Sequence, residues 1–331
     1  MIEPAAPVRW GILGTGTIAA AFAEALALLP DARLVAVGSR AAASAEAFGA
    51  RFSIPRRHAS YEALAADPDV DVVHVATPNG LHRGHALLCL EAGKAVLCEK
   101  PLAVTAREAA DMVGCARRRG LFLMEAMWTR FLPVVREVRE RVAAGAIGRP
   151  LMLAADFGFA ADSDAGILFD PALGGGALLD VGVYGVSLSS WLLGRPDRIA
   201  ALATLGPSGV DETIAATLGF PGGALASIEA SICAETAQEA TVTGTAGRIR
   251  LHAPWWRASR ATLVRAGRAD EEIVRPFEGS GYQLEAAEVG RCLRAGKRES
   301  EVMPLDESVS IMETLDAIRE RGGHPLDAGN V

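Results

Sequence analysis

Lys100 stands in the run Cys98-Glu99-Lys100-Pro101-Leu102, directly after the apolar Ala95-Val96-Leu97. It is one of three lysines, with Lys94 and Lys297, among 33 lysines and arginines. A chain that writes nearly every cation as arginine, yet places lysine at a strand end, has a use for lysine's compact, readily tuned ammonium. A surface lysine in a turn before proline is the plain alternative. A second grouping is Asp180 and Tyr184, four apart on one helix and so on one face. Gly174-Gly175-Gly176 precede it and let something flat approach closely. An ammonium, a carboxylate and a phenol are groups that transfer protons to and from reacting hydroxyls. Alone, Asp180 and Tyr184 read as a hydrogen-bonded helix carboxylate and a core tyrosine. In a chain that also carries Lys100 and the glycine turn below, the catalytic reading prevails.

These residues need a scaffold, and the first half supplies one. Val8–Leu13 reads as a strand, Gly14-Thr15-Gly16-Thr17-Ile18-Ala19 as a G-x-G-x-x-A turn, and Thr17–Leu29 as an Ala-rich helix. Strand, glycine turn and helix in this order are the context that a dinucleotide fingerprint requires. Gly14 makes the turn, Gly16 admits a pyrophosphate, and the helix start at Thr17 and Ile18 offers unpaired N–H groups to phosphate. The second strand, Arg33–Gly38, ends in Ser39-Arg40, where an NAD enzyme places Asp or Glu. A hydroxyl and a guanidinium bind a 2′-phosphate instead, which predicts NADP(H) over NAD(H). A strand over Val70–Val75 leads into Thr77-Pro78-Asn79, a turn at the same carboxyl edge as Gly14 and Lys100. His82 and His85 follow, three apart on one helical face. No third ligand accompanies them, so they read as turn or supporting residues rather than a metal pair, with His82 placed near cofactor or substrate. Further helices and a strand near Leu121–Met124 complete a doubly wound parallel sheet over residues 1–127.

From Pro150 the pattern changes. Strand-like runs follow one another from about Arg198 to Arg275 with no helices between them, and two helices close the chain. That order predicts an α+β unit with a mostly antiparallel sheet over 128–331. Net charge is −7, with no basic stripe, which argues against nucleic acid. No run of about 18 apolar residues is present, so no membrane span is expected. Five scattered cysteines form neither metal nor disulfide spacings, and no leader pattern opens the chain; both fit a cytoplasmic protein.

On these residues the chain resembles the glucose–fructose oxidoreductase/inositol dehydrogenase (Gfo/Idh/MocA) family. The Gly14–Ala19 fingerprint, Thr77-Pro78-Asn79, Glu99-Lys100-Pro101 and the Asp180/Tyr184 helix carry the resemblance over nearly the whole length. Glu-Lys-Pro is its specific signal. Glu125-Ala126-Met127-Trp128, with the three glycines before Asp180, is similar to the branch of dimeric dihydrodiol and NADP-dependent D-xylose dehydrogenases. Many other members carry histidine where this chain has Tyr184. The resemblance implies an open-faced C-terminal sheet often used for dimerisation, and Lys100, Asp180 and Tyr184 as the catalytic set. It further implies cofactor contacts from Gly14, Gly16, Thr17, Ile18, Ser39, Arg40, Thr77, Pro78, Asn79, His82, Glu99 and Lys100.

The implied reaction is hydride transfer between nicotinamide and a hydroxyl-bearing carbon. Tyr184 would move the proton, its phenolate favoured by the Lys100 ammonium. An equally open version gives that task to Lys100, with Tyr184 as partner. Asp180 would orient the substrate hydroxyl or Lys100. Trp128, just past a strand end, and Arg130 are substrate candidates, Arg130 for an acidic sugar. Trp255 and Trp256 read as either a ring platform or core. The expected substrate is a small neutral cyclic polyol, aldose or vicinal diol, with D-xylose first. Two rivals are a non-catalytic NADP sensor of the same fold and a hydrolase that cycles a tightly held NAD. The presence of Lys100 and Tyr184 disfavours the first, and Ser39-Arg40 the second. A homodimer or higher homo-oligomer is expected.

Overall fold

A computed structural model describes residues 6–162 and 166–323. Its secondary structure falls into two sheets, each in its own compact unit. The first unit comprises residues 1–103, 107–128 and 278–309; the second comprises 104–106, 129–277 and 310–331.

The first unit is built from β1 (Val8–Leu13), α1 (Thr17–Leu26), β2 (Ala32–Gly38), α2 (Ala42–Arg51), β3 (Arg56–His58), α3 (Tyr61–Ala65), β4 (Val72–Val75), α4 (His82–Glu91), β5 (Ala95–Glu99), α5 (Ala106–Arg119) and β6 (Leu123–Ala126). All paired strands are parallel, in the order β3-β2-β1-β4-β5-β6. Strands β4, β5 and β6 are buried along their whole length. This is why they read as apolar runs rather than alternations: helices cover both faces of a parallel sheet. The chain winds outward from β1 through β2 to β3, then returns to the other side of β1 as β4. The switch point lies between β1 and β4, and ligands bind at the carboxyl edge of such a point. Two expectations shift here. The strand expected at Leu121–Met124 runs Leu123–Ala126, and the short β3 lacks an apolar signal and was not anticipated.

The second unit holds α6 (Pro133–Ala143), β7 (Pro150–Gly158), α7 (Val183–Leu193), β8 (Arg198–Leu205), β9 (Asp211–Gly219), β10 (Leu225–Ser231), β11 (Ala240–Gly244), β12 (Gly247–Leu251), β13 (Arg260–Val264) and β14 (Glu271–Val274). Its sheet order is β14-β13-β12-β11-β7-β10-β9-β8, antiparallel except for the β7/β10 pair. Burial alternates along β9 and β10, the mark of a sheet with one covered face. The covered face packs on α7. The other presents Leu202 (80% exposed), Met152 (59%) and Leu225 (44%), with Met152 and Leu225 directly paired across β7 and β10.

The last two helices are α8 (Tyr282–Arg294) and α9 (Leu305–Arg321). The division into 1–127 and 128–331 needs amending, because 278–309 belongs to the first unit. The reason is packing: α8 lies on α1, and Arg294 pairs with Asp31 at 2.6 Å. A second amendment concerns Pro171–Leu193, which is long and apolar enough to cross a membrane by composition, at a mean hydropathy of 1.3. Its most apolar window is 78% buried inside the protein, so it serves as a core segment.

Candidate active site

In the first unit, the residues after β1, β2, β4 and β5 gather on one edge, since these strands run parallel. Gly14 has φ +114°, and a Cβ there would lie 2.5 Å from the Ala76 carbonyl oxygen. Only glycine fits that turn. Beside Gly16 a Cβ would meet nothing within 4 Å. No side chain caps α1, and its first turn holds no acidic residue. A tight glycine turn, open space and an uncapped helix start fit a pyrophosphate. An open groove of about 470 Å³ adjoins this start, lined in part by Thr15, Gly16, Thr17 and Arg51. Ile18 is exposed. A larger hollow of about 720 Å³ lies at the opposite, amino edge near Val8, Arg33 and Asp71. It is not where parallel sheets bind ligands, and its Arg9 is already paired with Asp69 and Asp71.

Ser39 is buried and its hydroxyl accepts from the Ala41 N–H at 3.4 Å, whereas Arg40 is exposed. No carboxylate occupies the end of β2. Across the switch point, Pro78 leads into a single 3₁₀ turn, Asn79–Leu81. His82 is fully buried, with Nδ1 2.8 Å from the Pro101 carbonyl oxygen and Nε2 2.8 Å from that of Thr77. Burial pushes its pKa below the ordinary histidine value, against the pull of both carbonyls. The expectation that His82 touches cofactor is corrected: the ring is fully buried between two carbonyls of the protein. Its task is to tie the turn after β4 to the segment that carries Lys100.

Glu99 is likewise turned inward. It is 6% exposed and bonds His74 Nε2 at 3.0 Å, while His74 stacks on Phe22 with ring centroids 3.8 Å apart. Glu285, on the first turn of α8, is fully buried, and neither of its oxygens has a hydrogen-bond partner among the described residues. Burial, and then the nearby Glu99 charge, pushes its carboxyl well above the usual carboxylate range. Nothing in the sequence marked His74 or Glu285. Glu125 accepts from the Leu102 N–H at 3.1 Å and so braces the residues after Lys100. Trp128 is buried against Tyr282, with centroids 4.8 Å apart.

Asp180 and Tyr184 lie in the second unit. The helix expected to carry Asp180 and Tyr184 begins as a π-turn, Leu178–Gly182, and becomes α-helical at Val183. Single π-turns of this kind recur at functional sites. Asp180 sits within the wide turn, and Tyr184 follows it as a 7% exposed residue. Asp211 anchors the start by accepting from the Leu178 N–H at 2.6 Å. Gly176, at φ +113°, leaves it room: a Cβ there would fall 2.3 Å from Asp211 Oδ1. Beside Tyr184 stands an aromatic group that the sequence showed only in part. Phe157 lies 5.5 Å from Tyr184, and Trp256 stacks on Phe157 at 4.8 Å with ring planes 5° apart. Trp256 Nε1 donates to Gln238 Oε1 at 3.1 Å, and Gln238 holds a left-handed φ of 54°. Such backbone in a non-glycine residue collects at functional sites. Trp255 is core, fully buried, with Nε1 on the Asp156 carbonyl. Inward alternation along β7 was the available signal for Phe157; nothing local marked Gln238. Arg130 corrects another expectation. It is 2% exposed and grips Ser187 through Nε and Nη2 at 2.9 and 2.8 Å, so it pins α7 rather than awaiting a substrate carboxylate.

Residues 8–127 match the family described as "Oxidoreductase family, NAD-binding Rossmann fold", and 135–250 match the "GFO/IDH/MocA C-terminal domain". The chain is 39% identical over 328 residues to trans-1,2-dihydrobenzene-1,2-diol dehydrogenase of Bos taurus, covering 96% of this chain and 97% of that protein. The aldose-aldose oxidoreductase of Caulobacter crescentus, solved with glycerol, superposes with a TM-score of 0.88 at 25% identity over 96% of this chain and 97% of that one. The 3-ketoreductase KijD10 of Actinomadura kijaniata, solved with NADP and TDP-benzene, gives 0.86 at 27% identity over 95% and 97%. Glycine turn, Glu-Lys-Pro segment and open-faced sheet thus meet in one chain, which belongs to the Gfo/Idh/MocA family of oxidoreductases and is a nicotinamide-dependent CH–OH dehydrogenase.

Proposed function

We propose that the protein oxidises and reduces a small cyclic diol, polyol or aldose with NADP(H). The observation that carries this reading is the flat Phe157–Trp256 stack beside the Tyr184 ring. An apolar wall next to a few hydrogen-bonding groups suits a sugar ring or cyclic diol. The similar bovine protein is named for a cyclic diol and the Caulobacter one for aldoses. The exposed Arg40 beside Ser39, with no carboxylate at the end of β2, favours the 2′-phosphate, and KijD10 was solved with NADP.

The glycine turn, Ser39-Arg40 and Thr77-Pro78-Asn79 would hold the cofactor, which when bound supplies the hydride acceptor or donor. Lys100, Asp180 and Tyr184 are the catalytic set in this reading. Tyr184 or Lys100 moves the proton of the reacting hydroxyl, and Asp180 orients that hydroxyl. A positioned group of this kind contributes about 10²–10⁴-fold. The open face around Leu202, Met152 and Leu225 supports a two-fold pairing of this chain, because an uncovered apolar sheet face is an interaction site.

The test is NADP⁺ reduction followed across D-xylose, D-glucose, inositol, trans-cyclohexanediol and a uronic acid. Turnover of a neutral cyclic substrate is expected. Turnover of the uronic acid alone, or of none, overturns the substrate assignment.

A further inference from the structure

His85 lies one helical turn past His82, on the same face of α4, yet its surroundings differ. Its Nδ1 is 3.0 Å from Thr77 Oγ1, and the Tyr61 ring meets its edge at 4.7 Å. The ring is only part-buried, and Nε2 has no hydrogen bond among the described residues. Thr77 is the second residue after β4, and Arg40 the second after β2. These two strands flank β1 on either side. His85 and Arg40 therefore approach the same switch point from its two sides, near enough for the guanidinium charge to act on the imidazole. One cation is permanent and exposed; the other is a titratable ring, fixed by Thr77, with a nitrogen to spare.

We propose that His85 is a second specificity-determining contact for the 2′-phosphate of NADP(H), and that it takes up a proton when that phosphate binds. This rests on the NADP(H) reading above and adds a residue and a proton to it. In the free protein the groups facing the ring oppose its charge on balance. Burial acts first, followed by His82 on its own helix and Arg40 at the end of β2; Glu62 on α3 acts the other way. Tyr61 and Thr77, which complete the surroundings, are neutral. Together they hold the pKa of His85 below the ordinary histidine value. A phosphate dianion placed between Arg40 and His85 reverses the field and favours the imidazolium. The sign follows. Below the free-state pKa the ring is charged whether or not cofactor is bound; above the bound-state pKa it is neutral in both. Between the two, binding draws in a proton, and affinity falls as pH rises. The cofactor's own phosphate acts oppositely, since it becomes more anionic as pH rises through about 6.

The experiment measures dissociation constants of NADPH and NADH by fluorescence titration from about pH 6 to about pH 8, a range that brackets ordinary histidine. Calorimetry in two buffers of different ionisation enthalpy counts the protons taken up. Wild type should lose NADPH affinity across the range by about tenfold, the loss of one charge-assisted contact. NADH, which lacks the phosphate, should be nearly flat. His85→Gln should lose the fall in NADPH affinity with rising pH, leaving only the weak opposite trend of the phosphate itself, and should show no net proton uptake, while keeping a preference over NADH through Arg40. His85→Ala should behave the same way, which excludes an effect peculiar to the glutamine amide. An unchanged slope and proton count in both variants overturns the role of His85 and leaves the NADP(H) reading standing. Equal binding of NADPH and NADH by wild type at every pH, unchanged in Arg40→Ala, overturns the NADP(H) reading itself.

Discussion

The two sheets solve opposite problems. The parallel sheet of the first unit is sealed on both faces, so reactive groups gather along its carboxyl edge, where the strands stop. There the glycine turn, Arg40, the Thr77 turn and Lys100 succeed one another. The antiparallel sheet of the second unit has one covered face, and the Tyr184 aromatic group lies on that face. Phe157 projects from β7 toward Tyr184 on the helix packed above it. An edge site depends on where strands end, and strand ends are local events. A face site depends on register, which brings together residues far apart in the chain. Both units enclose polar groups, but Arg130 and Asp211 of the second are offset by hydrogen bonds to Ser187 and the Leu178 N–H, whereas Glu285 of the first has no such partner among the described residues.

The comparison is broken most sharply at the edge. Lys100→Ala should bind NADPH normally and lose about 10²–10⁴-fold in turnover, measured by stopped-flow or steady-state kinetics. Tyr184→Phe should lose a similar factor and alter the pH–rate profile. Normal turnover by Lys100→Ala would mean that the edge of the parallel sheet only binds, and that chemistry belongs wholly to the face of the other.

The sealed interior gives the next effect. The folded pKa of Glu285 lies well above its unfolded value of about 4.3. For such a carboxyl the stabilising contribution is complete below the unfolded pKa and is lost as pH rises toward the folded one. Wild type should therefore melt at falling temperatures as pH is raised from about 5 to about 8. Glu285→Gln keeps the shape without the ionisation. It should flatten that dependence and be the more stable of the two at the alkaline end, because it has no proton to lose on unfolding. Parallel melting curves for the two proteins would show that Glu285 is not titrating with folding.

The open face gives the smallest change in fold and the clearest change in assembly. Leu202→Glu should leave monomer stability within about 0.5 kcal/mol, since the side chain is 80% exposed. It should also shift the particle mass toward monomer in light scattering. An unchanged mass would place the subunit contact elsewhere.

How much of this the sequence disclosed follows from the same contrast. The glycine turn, Ser39-Arg40, the Thr77 turn and Lys100 were legible because each is a short run at the end of an apolar stretch. So were both sheet types, from the presence or absence of helices between strands. The partners of Tyr184 were not. Phe157, Gln238 and Trp256 are joined by register across three separate segments, and Gln238 is notable only for its backbone angle. Arg130 looked available because a guanidinium near a strand end resembles an anion site; its burial on Ser187 is invisible without α7 in place. His82 looked like a ligand contact for the same reason. The amphipathic pattern of α8 showed a helix, and no local feature told which sheet it would cover.

That last helix bears on the order in which the chain can mature. On the ribosome, the strands of the parallel sheet emerge within the first 126 residues, yet the helix that covers α1 arrives only after the whole second sheet has been made. The flank of α1 that packs on α8 must therefore wait, uncovered, for more than half the length of the protein to be translated. A gene cut after codon 127 would freeze that waiting state. It would encode a nucleotide-binding sheet with a bare flank, prone to self-association, rather than a smaller protein that stands by itself.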